Sequence, residues 1–262
     1  MRILLNGFFG KMGKEVLALA KEGYRDSEVV FGVDANMPEG YCDTIPCVTS
    51  FDEACADVDC IVDFSHHACT KDLLAFATKN NIPLVIATTG QTDDEKAQIS
   101  EAAKSIPIFF AANYSLGVAL LIDSAKKTAL TMREAQIEII EKHHDRKLDA
   151  PSGTALAIAK AINEVRPESH NVLGRSGYGK RTNEEIGIHA IRMGNIVGEH
   201  EVIIGTKNQT ITLKHEAHSR SLFAEGALVA CEFLCSLPKG SQGLYDMNNI
   251  ISLSDKKETA LV

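Results

Sequence analysis

The stretch Glu141-Lys142-His143-His144-Asp145-Arg146-Lys147-Leu148-Asp149-Ala150-Pro151-Ser152-Gly153-Thr154-Ala155 packs two histidines, an arginine and two lysines into six residues beside a helix start. Cations that can also give protons suit the reduction of an anionic, conjugated imine. They hold its carboxylates, offset its charge and protonate the site that becomes basic as hydride arrives. Ser152 is the natural helix cap, with Pro151 beside it, and Asp149 is the alternative cap. The amides of Gly153 and Thr154, unpaired at the helix start, would take a carboxylate. The competing reading is a solvated basic loop, which fits a charge run taken alone; the helix start with its Gly and Thr favours a site. A metal held by His143 and His144 is disfavoured, because adjacent strand side chains face opposite ways and no third ligand stands at useful spacing. Arg220, in His218-Ser219-Arg220-Ser221, begins the last helix and could reach the same crevice or serve as a surface arginine. His200 and Arg192 fall on strands and read as structural or interfacial.

A second chemical motif opens the chain. Gly7-Phe8-Phe9-Gly10-Lys11-Met12-Gly13 follows a short apolar run and starts a helical pattern. Glycines there let the backbone approach a pyrophosphate, whose charge the free amides and dipole of a helix start attract. The spacing G-x-x-G-x-x-G departs from the commoner G-x-G-x-x-G. Asp34 strengthens it, ending the second strand 21 residues after Gly13, where an acid accepts a hydrogen bond from a ribose 2′-hydroxyl. The alternative is a plain glycine-rich turn with a strand-end aspartate. Ala87-Thr88-Thr89-Gly90 and Ala111-Ala112-Asn113-Tyr114-Ser115 fall after the fourth and fifth strands, where small residues would let a nicotinamide ribose pass or simply form turns. Asp34 favours NADH and repels a 2′-phosphate, and Ala35 follows it rather than an arginine, while Lys11 could supply charge for NADPH. Use of both cofactors, with NADH preferred, is the expectation.

These residues need a frame, and the hydrophobic periodicity supplies one. Branched apolar runs at Ile3–Leu5, Glu28–Val33, Cys60–Phe64, Pro83–Ala87 and Ile106–Phe110 alternate with helical patterns at Met12–Glu22, Ala68–Lys79 and Asp93–Ser105. That alternation predicts a parallel sheet covered on both faces, a doubly wound α/β fold of Rossmann type. The second half changes character. A helix at Val118–Leu130 leads to a strand at Gln136–Lys142, and a helix runs from Pro151 to about Val165. After a Gly-rich segment come strands at Ile188–Met193, Ile196–Gly205 and Gln209–Ala217, joined by short turns such as Met193-Gly194-Asn195. They predict a mixed or antiparallel sheet in an inserted α+β domain. A helix at Leu222–Leu234, a Pro/Gly loop and a polar tail close the chain.

Bulk properties exclude other classes. With 45% hydrophobic and 24% charged residues in 262, the chain is globular and holds enough apolar surface for a core. The net charge of −8 disfavours nucleic acid and anionic membrane as partners and makes a local basic cluster stand out as an anion site. No apolar run is long enough to span a bilayer and no signal-like region precedes Arg2-Ile3-Leu4-Leu5, so a cytoplasmic location is expected. Seven cysteines without a C-x-x-C pair argue against a disulfide framework or structural zinc. Cys231 and Cys235, one helical turn apart, read as ordinary buried apolar residues rather than a metal or redox pair.

Taken together, the sequence resembles the 4-hydroxy-tetrahydrodipicolinate reductase family, long called dihydrodipicolinate reductase, over nearly its whole length. The resemblance is carried by the 7–13 glycine loop, Asp34, Asp63-Phe64-Ser65, Thr88-Thr89-Gly90, Asn113-Tyr114-Ser115-Leu116-Gly117-Val118, Gly198-Glu199-His200 and Ser219-Arg220 through Phe223-Ala224. Most specific is E-x-H-H-x-x-K-x-D-A-P-S-G-T from Glu141 to Thr154. The resemblance implies reduction of a cyclic imine dicarboxylate to tetrahydrodipicolinate in lysine and diaminopimelate biosynthesis, with hydride passing from NADH or NADPH to ring C4 and water lost. It implies His143 as proton donor and acceptor, Lys147 as second donor, and His144, Gly153, Thr154 and Arg220 at the substrate. Gly7, Phe8, Phe9, Gly10, Lys11, Met12, Asp34, Ala87, Thr88, Thr89, Ala111, Ala112, Asn113 and Tyr114 would line the cofactor. It further implies a dinucleotide domain of residues 1–113 and 219–262, an inserted substrate and oligomerisation domain of 114–218, a homotetramer and no metal. The sequence departs from the family at His66 and His67, where a proline is frequent, and at Ala87, where glycine is usual. An aspartate-semialdehyde reductase would need a cysteine nucleophile near a helix start with a His partner, which no cysteine here has. An NADH-sensing binding protein without turnover is the alternative of another class; it leaves the His-His-Lys cluster unexplained.

Overall fold

The computed structural model describes residues 1–252; the expected polar tail, from 253 on, lies outside the described residues. In chain order the elements are β1 (Arg2–Asn6), α1 (Lys11–Lys21), β2 (Glu28–Val33), β3 (Cys47–Val48), β4 (Cys60–Asp63), α2 (Thr70–Asn80), β5 (Leu84–Ile86), α3 (Asp93–Ala102) and β6 (Pro107–Phe110). There follow α4 (Leu116–Thr131), β7 (Gln136–His143), α5 (Gly153–Val165), β8 (His170–Leu173), β9 (Glu185–Arg192), β10 (Gly198–Gly205) and β11 (Thr210–Ala217). Last come α6 (Ser221–Ser236) and β12 (Gly243–Tyr245). The described residues divide into two compact units: 1–115 together with 221–252, and Leu116–Arg220.

In the first unit seven parallel strands stand in the order β12-β6-β5-β4-β1-β2-β3. Strands buried on both faces need apolar residues at successive positions, and Ile3, Leu4, Leu5, Leu84, Val85 and Ile86 all lie fully buried. α3 starts where Thr92 accepts the Glu95 amide and Glu95 returns a bond from the Thr92 amide, a complete capping box. The winding reverses between β1 and β4, so the loops after these strands bound the crevice where such sheets bind ligands. Asp63, at the end of β4, ties that rim together. It accepts from Asn6 Nδ2 (2.8 Å), Ser65 Oγ (2.6 Å) and Thr88 Oγ1 (2.7 Å).

The second unit carries a mixed sheet, β11-β10-β7-β9-β8, packed on α4 and α5. Alternate residues of the central strand β7 face the core: Ile137 and Ile139, then Glu141 and His143. Two polar residues thus continue an apolar row, which their partners must compensate. The short turn after β9 predicts adjacent β9 and β10. Instead β7 lies between them, parallel to β9 and antiparallel to β10. Main-chain bonds from the end of β7 hold the turn in this arrangement: Met193 N to His143 O (2.9 Å), His144 N to Ile196 O (2.8 Å) and Asp145 N to Gly194 O (3.2 Å). β3, β8 and β12 were not anticipated from the sequence; at two to four residues each they are too short to show a period.

Candidate active site

At the end of β1, Gly7 adopts φ +83, a conformation that side chains strain, and a Cβ there would stand 2.5 Å from Phe64 O. α1 begins after Gly10 with no side-chain cap. The amides of its first turn therefore have no capping side chain to bond, the arrangement a phosphate uses. Asp34 Oδ2 accepts the Phe9 amide at 2.8 Å, and Oδ1 accepts the Asn36 amide at 2.9 Å. The carboxylate thus fixes the glycine loop while each oxygen keeps a further acceptor site for a ribose hydroxyl. This cradle fits a dinucleotide. Lys11 is exposed and Met12 half-buried at the loop, where a cation could meet a 2′-phosphate.

Several residues expected along the cofactor place their side chains elsewhere. Phe8 is buried over Gly32 and packs edge-on to Phe9 and Tyr41. Thr88 spends its hydroxyl on Asp63, and the buried Ala87 gives its amide to Asp63 O. The Tyr114 hydroxyl lies in the core, donating toward Ile86 O (2.8 Å) and Phe109 O (3.0 Å), and burial pushes its pKa well up. These four can serve a nucleotide only through backbone atoms. Phe9, Ala111 and Asn113 are half-buried and Thr89 and Ala112 exposed, with Asn113 Oδ1 accepting the Ser115 amide.

The second unit assembles the basic stretch around Glu141, which has no exposed side-chain surface. Its carboxylate receives Arg192 through both terminal nitrogens at 2.7 Å, the Ser152 amide at 3.0 Å, and lies 2.6 Å from His143 Nδ1. Burial alone would raise the Glu141 pKa; Arg192, His143 and the Ser152 amide outweigh it and hold the carboxyl below its ordinary value. For His143 burial dominates and lowers the pKa, opposed by Glu141 and reinforced by Lys147 and Arg192. A carboxylate at Nδ1 selects the tautomer protonated there and leaves Nε2 to exchange a proton. Nε2 lies over Gly198, where a Cβ would come within 3.1 Å of it.

Ser152 caps α5, accepting the Ala155 amide at 3.2 Å, and its Oγ stands 3.0 Å from His200 Nε2. The His200 ring meets that of His143 edge-on at 5.2 Å. Burial first, then the neighbouring His143, brings the His200 pKa down to about 4, so this imidazole is a neutral packing partner at neutral pH.

Around this core lie the other expected groups. Lys147 Nζ pairs with Asp149 Oδ1 at 2.8 Å. Lys147 holds the Asp149 carboxyl below its usual range, and the Gly153 amide helps. A carboxylate of the chain itself thus faces Lys147 and the Gly153 amide at the start of α5. Open space surrounds the position of a Gly153 Cβ, and Thr154 follows, half-buried. His144 Nδ1 is buried with no hydrogen-bond partner among the described residues. Arg220 is exposed, at the last position of the second unit. Sequence reasoning gave Glu141 no role; it read Arg192 as structural or interfacial but did not identify Glu141 as its partner. The i, i+2 spacing of Glu141 and His143 on a strand was the available signal for the first.

Comparison with known proteins gives the family. Family models described as Dihydrodipicolinate reductase, N-terminus, and Dihydrodipicolinate reductase, C-terminus, match residues 1–114 and 117–251. A 4-hydroxy-tetrahydrodipicolinate reductase of Caldanaerobacter subterraneus subsp. tengcongensis is 46% identical, covering 96% of this chain and 98% of its own. One from Clostridium botulinum is 43% identical over 97% and 99%. The dipicolinate-bound dihydrodipicolinate reductase of Paenisporosarcina sp. TG-14 superposes with a TM-score of 0.77 at 27% identity, over 94% of this chain and 97% of that one. With the seven-stranded nucleotide sheet, the mixed second sheet and both family models in agreement, the chain belongs to the dihydrodipicolinate reductase family.

Proposed function

We propose that the Glu141–His143–Lys147 site performs the proton chemistry of its family's reaction, the reduction of 4-hydroxy-tetrahydrodipicolinate to tetrahydrodipicolinate with loss of water. The chain is accordingly an oxidoreductase of lysine and diaminopimelate biosynthesis. The observation that carries the residue assignment is His143, clamped at Nδ1 by a buried carboxylate that Arg192 itself grips with two bonds.

The glycine loop and Asp34 hold NADH or NADPH, which supplies the hydride for ring C4. Asp34 favours the bare ribose of NADH, with Lys11 permitting NADPH. On the substrate side, Lys147 and the amides that open α5 engage a carboxylate. Asp149 holds those donors in the absence of substrate and gives way when an anion of greater charge arrives. His144 offers its buried Nδ1 and Arg220 its guanidinium to the same dicarboxylate. His143 exchanges a proton at Nε2, and Lys147 donates the second. Dipicolinate, the planar dicarboxylate bound by the Paenisporosarcina reductase, is the matching probe.

Lys147→Ala and His143→Ala should each retain NADH affinity, read by fluorescence titration, and lower kcat by roughly 10²–10⁴-fold, the size of a lost general acid. Normal turnover in either variant rejects that residue's role. An NADH-binding protein without turnover would show tight binding, no wild-type rate and indifference to the Lys147 change.

A further inference from the structure

Outside the site described, three sulfurs converge. Cys60 opens β4, and Cys231 and Cys235 lie one turn apart on α6, which packs against that strand. Their Sγ atoms all lie within 4.8 Å of one another. Cys60 and Cys231 are fully buried, while Cys235 is exposed. We propose that Cys60, Cys231 and Cys235 form a three-thiolate site for a thiophilic d10 cation, zinc being the ion of ordinary availability.

Zinc–sulfur bonds of about 2.3 Å place three thiolates about 4 Å apart, so the observed triangle needs only small side-chain adjustment to close on an ion. Thiolates select soft cations over magnesium or calcium. The exposed edge at Cys235 leaves a fourth position for water. Binding releases the thiol protons to solvent. Without an ion Cys235 Sγ donates only a long 3.8 Å contact to Asp59 O. The spacing of cysteines along the chain pointed away from a metal, because the third ligand is supplied by a strand far from the helix in sequence. The thiols sit at the entry end of β4 and the nucleotide loops at its exit, so the ion would staple α6 to β4 rather than take part in the reduction.

The test is titration of reduced, chelator-treated full-length protein with cadmium alone under nitrogen, followed by zinc competition. One equivalent of cadmium should bind with an ultraviolet thiolate-to-metal charge-transfer band, zinc should displace it, and the unfolding midpoint should rise with metal. Cys235→Ser, at an exposed position that leaves folding intact, should weaken binding by at least about 100-fold, beyond the loss usual for a supporting outer residue. Cys42→Ser/Cys55→Ser, altering exposed thiols elsewhere, should bind as wild type. Absence of a saturating band in the wild-type protein, or a band that survives in Cys235→Ser, overturns the proposal.

Discussion

Glu141 brings a charge into the interior, and its four hydrogen-bonding approaches explain why that is tolerated. Its influence on His143 has a definite sign. Burial lowers the His143 pKa below 6.5 and Glu141 opposes that fall. Replacing the carboxylate by the neutral amide in Glu141→Gln removes the opposing attraction, so the His143 titration moves to still lower pH. Histidine ring-proton NMR of the enzyme should record that displacement, and the arm of kcat/KM governed by protonated His143 should follow it. A titration that stays in place or moves upward contradicts the proposed link. At this scale the sequence was most legible where the chemistry is local. His143, Lys147 and the Ser152 cap were picked out by neighbours a few positions away, and Asp34 by its distance from the glycine loop. Arg192 was not, because it meets Glu141 only through the pairing of β9 with β7. For Phe8, Thr88 and Tyr114 the sequence did not show where the side chains go: they satisfy the core and the Asp63 network, leaving backbone atoms to face a nucleotide.

β7 is the element on which the second unit turns. It pairs with β10 and β9, buries Ile137 and Ile139 under α4 and α5, and ends in Glu141 and His143. Arg192 fastens β9 to that end and also reaches Asp149 O, at 2.6 Å. Arg192→Leu leaves a buried carboxylate without its main partner, and should cost about 3–5 kcal/mol of stability. The shift of the urea midpoint at constant slope measures it. Arg192→Lys should recover only part of the loss, since a point charge cannot make both bonds. A leucine variant as stable as the wild type would contradict the central place given to this pair. The doubly wound sheet was readable from alternating periods, since strands buried on both faces have little choice of composition. The position of β7 between β9 and β10 was not, because a short turn implies a hairpin unless a third strand competes for the edge, and that competition is a tertiary event.

Across the whole molecule, the first unit presents a glycine loop and Asp34 suited to a dinucleotide, and the second carries the Glu141, His143 and Lys147 cluster proposed for the proton chemistry. Among the described residues no helix is long and apolar enough to cross a membrane. On the proposed assignment catalysis is separable from cofactor binding, and the family's reaction supplies the assay. NADH absorbance should be followed with 4-hydroxy-tetrahydrodipicolinate generated in place by its synthase from pyruvate and aspartate semialdehyde, then again with NADPH. The account predicts substrate-dependent oxidation, with kcat/KM higher for NADH as Asp34 requires. NADH that binds but is not oxidised when substrate is supplied would contradict it.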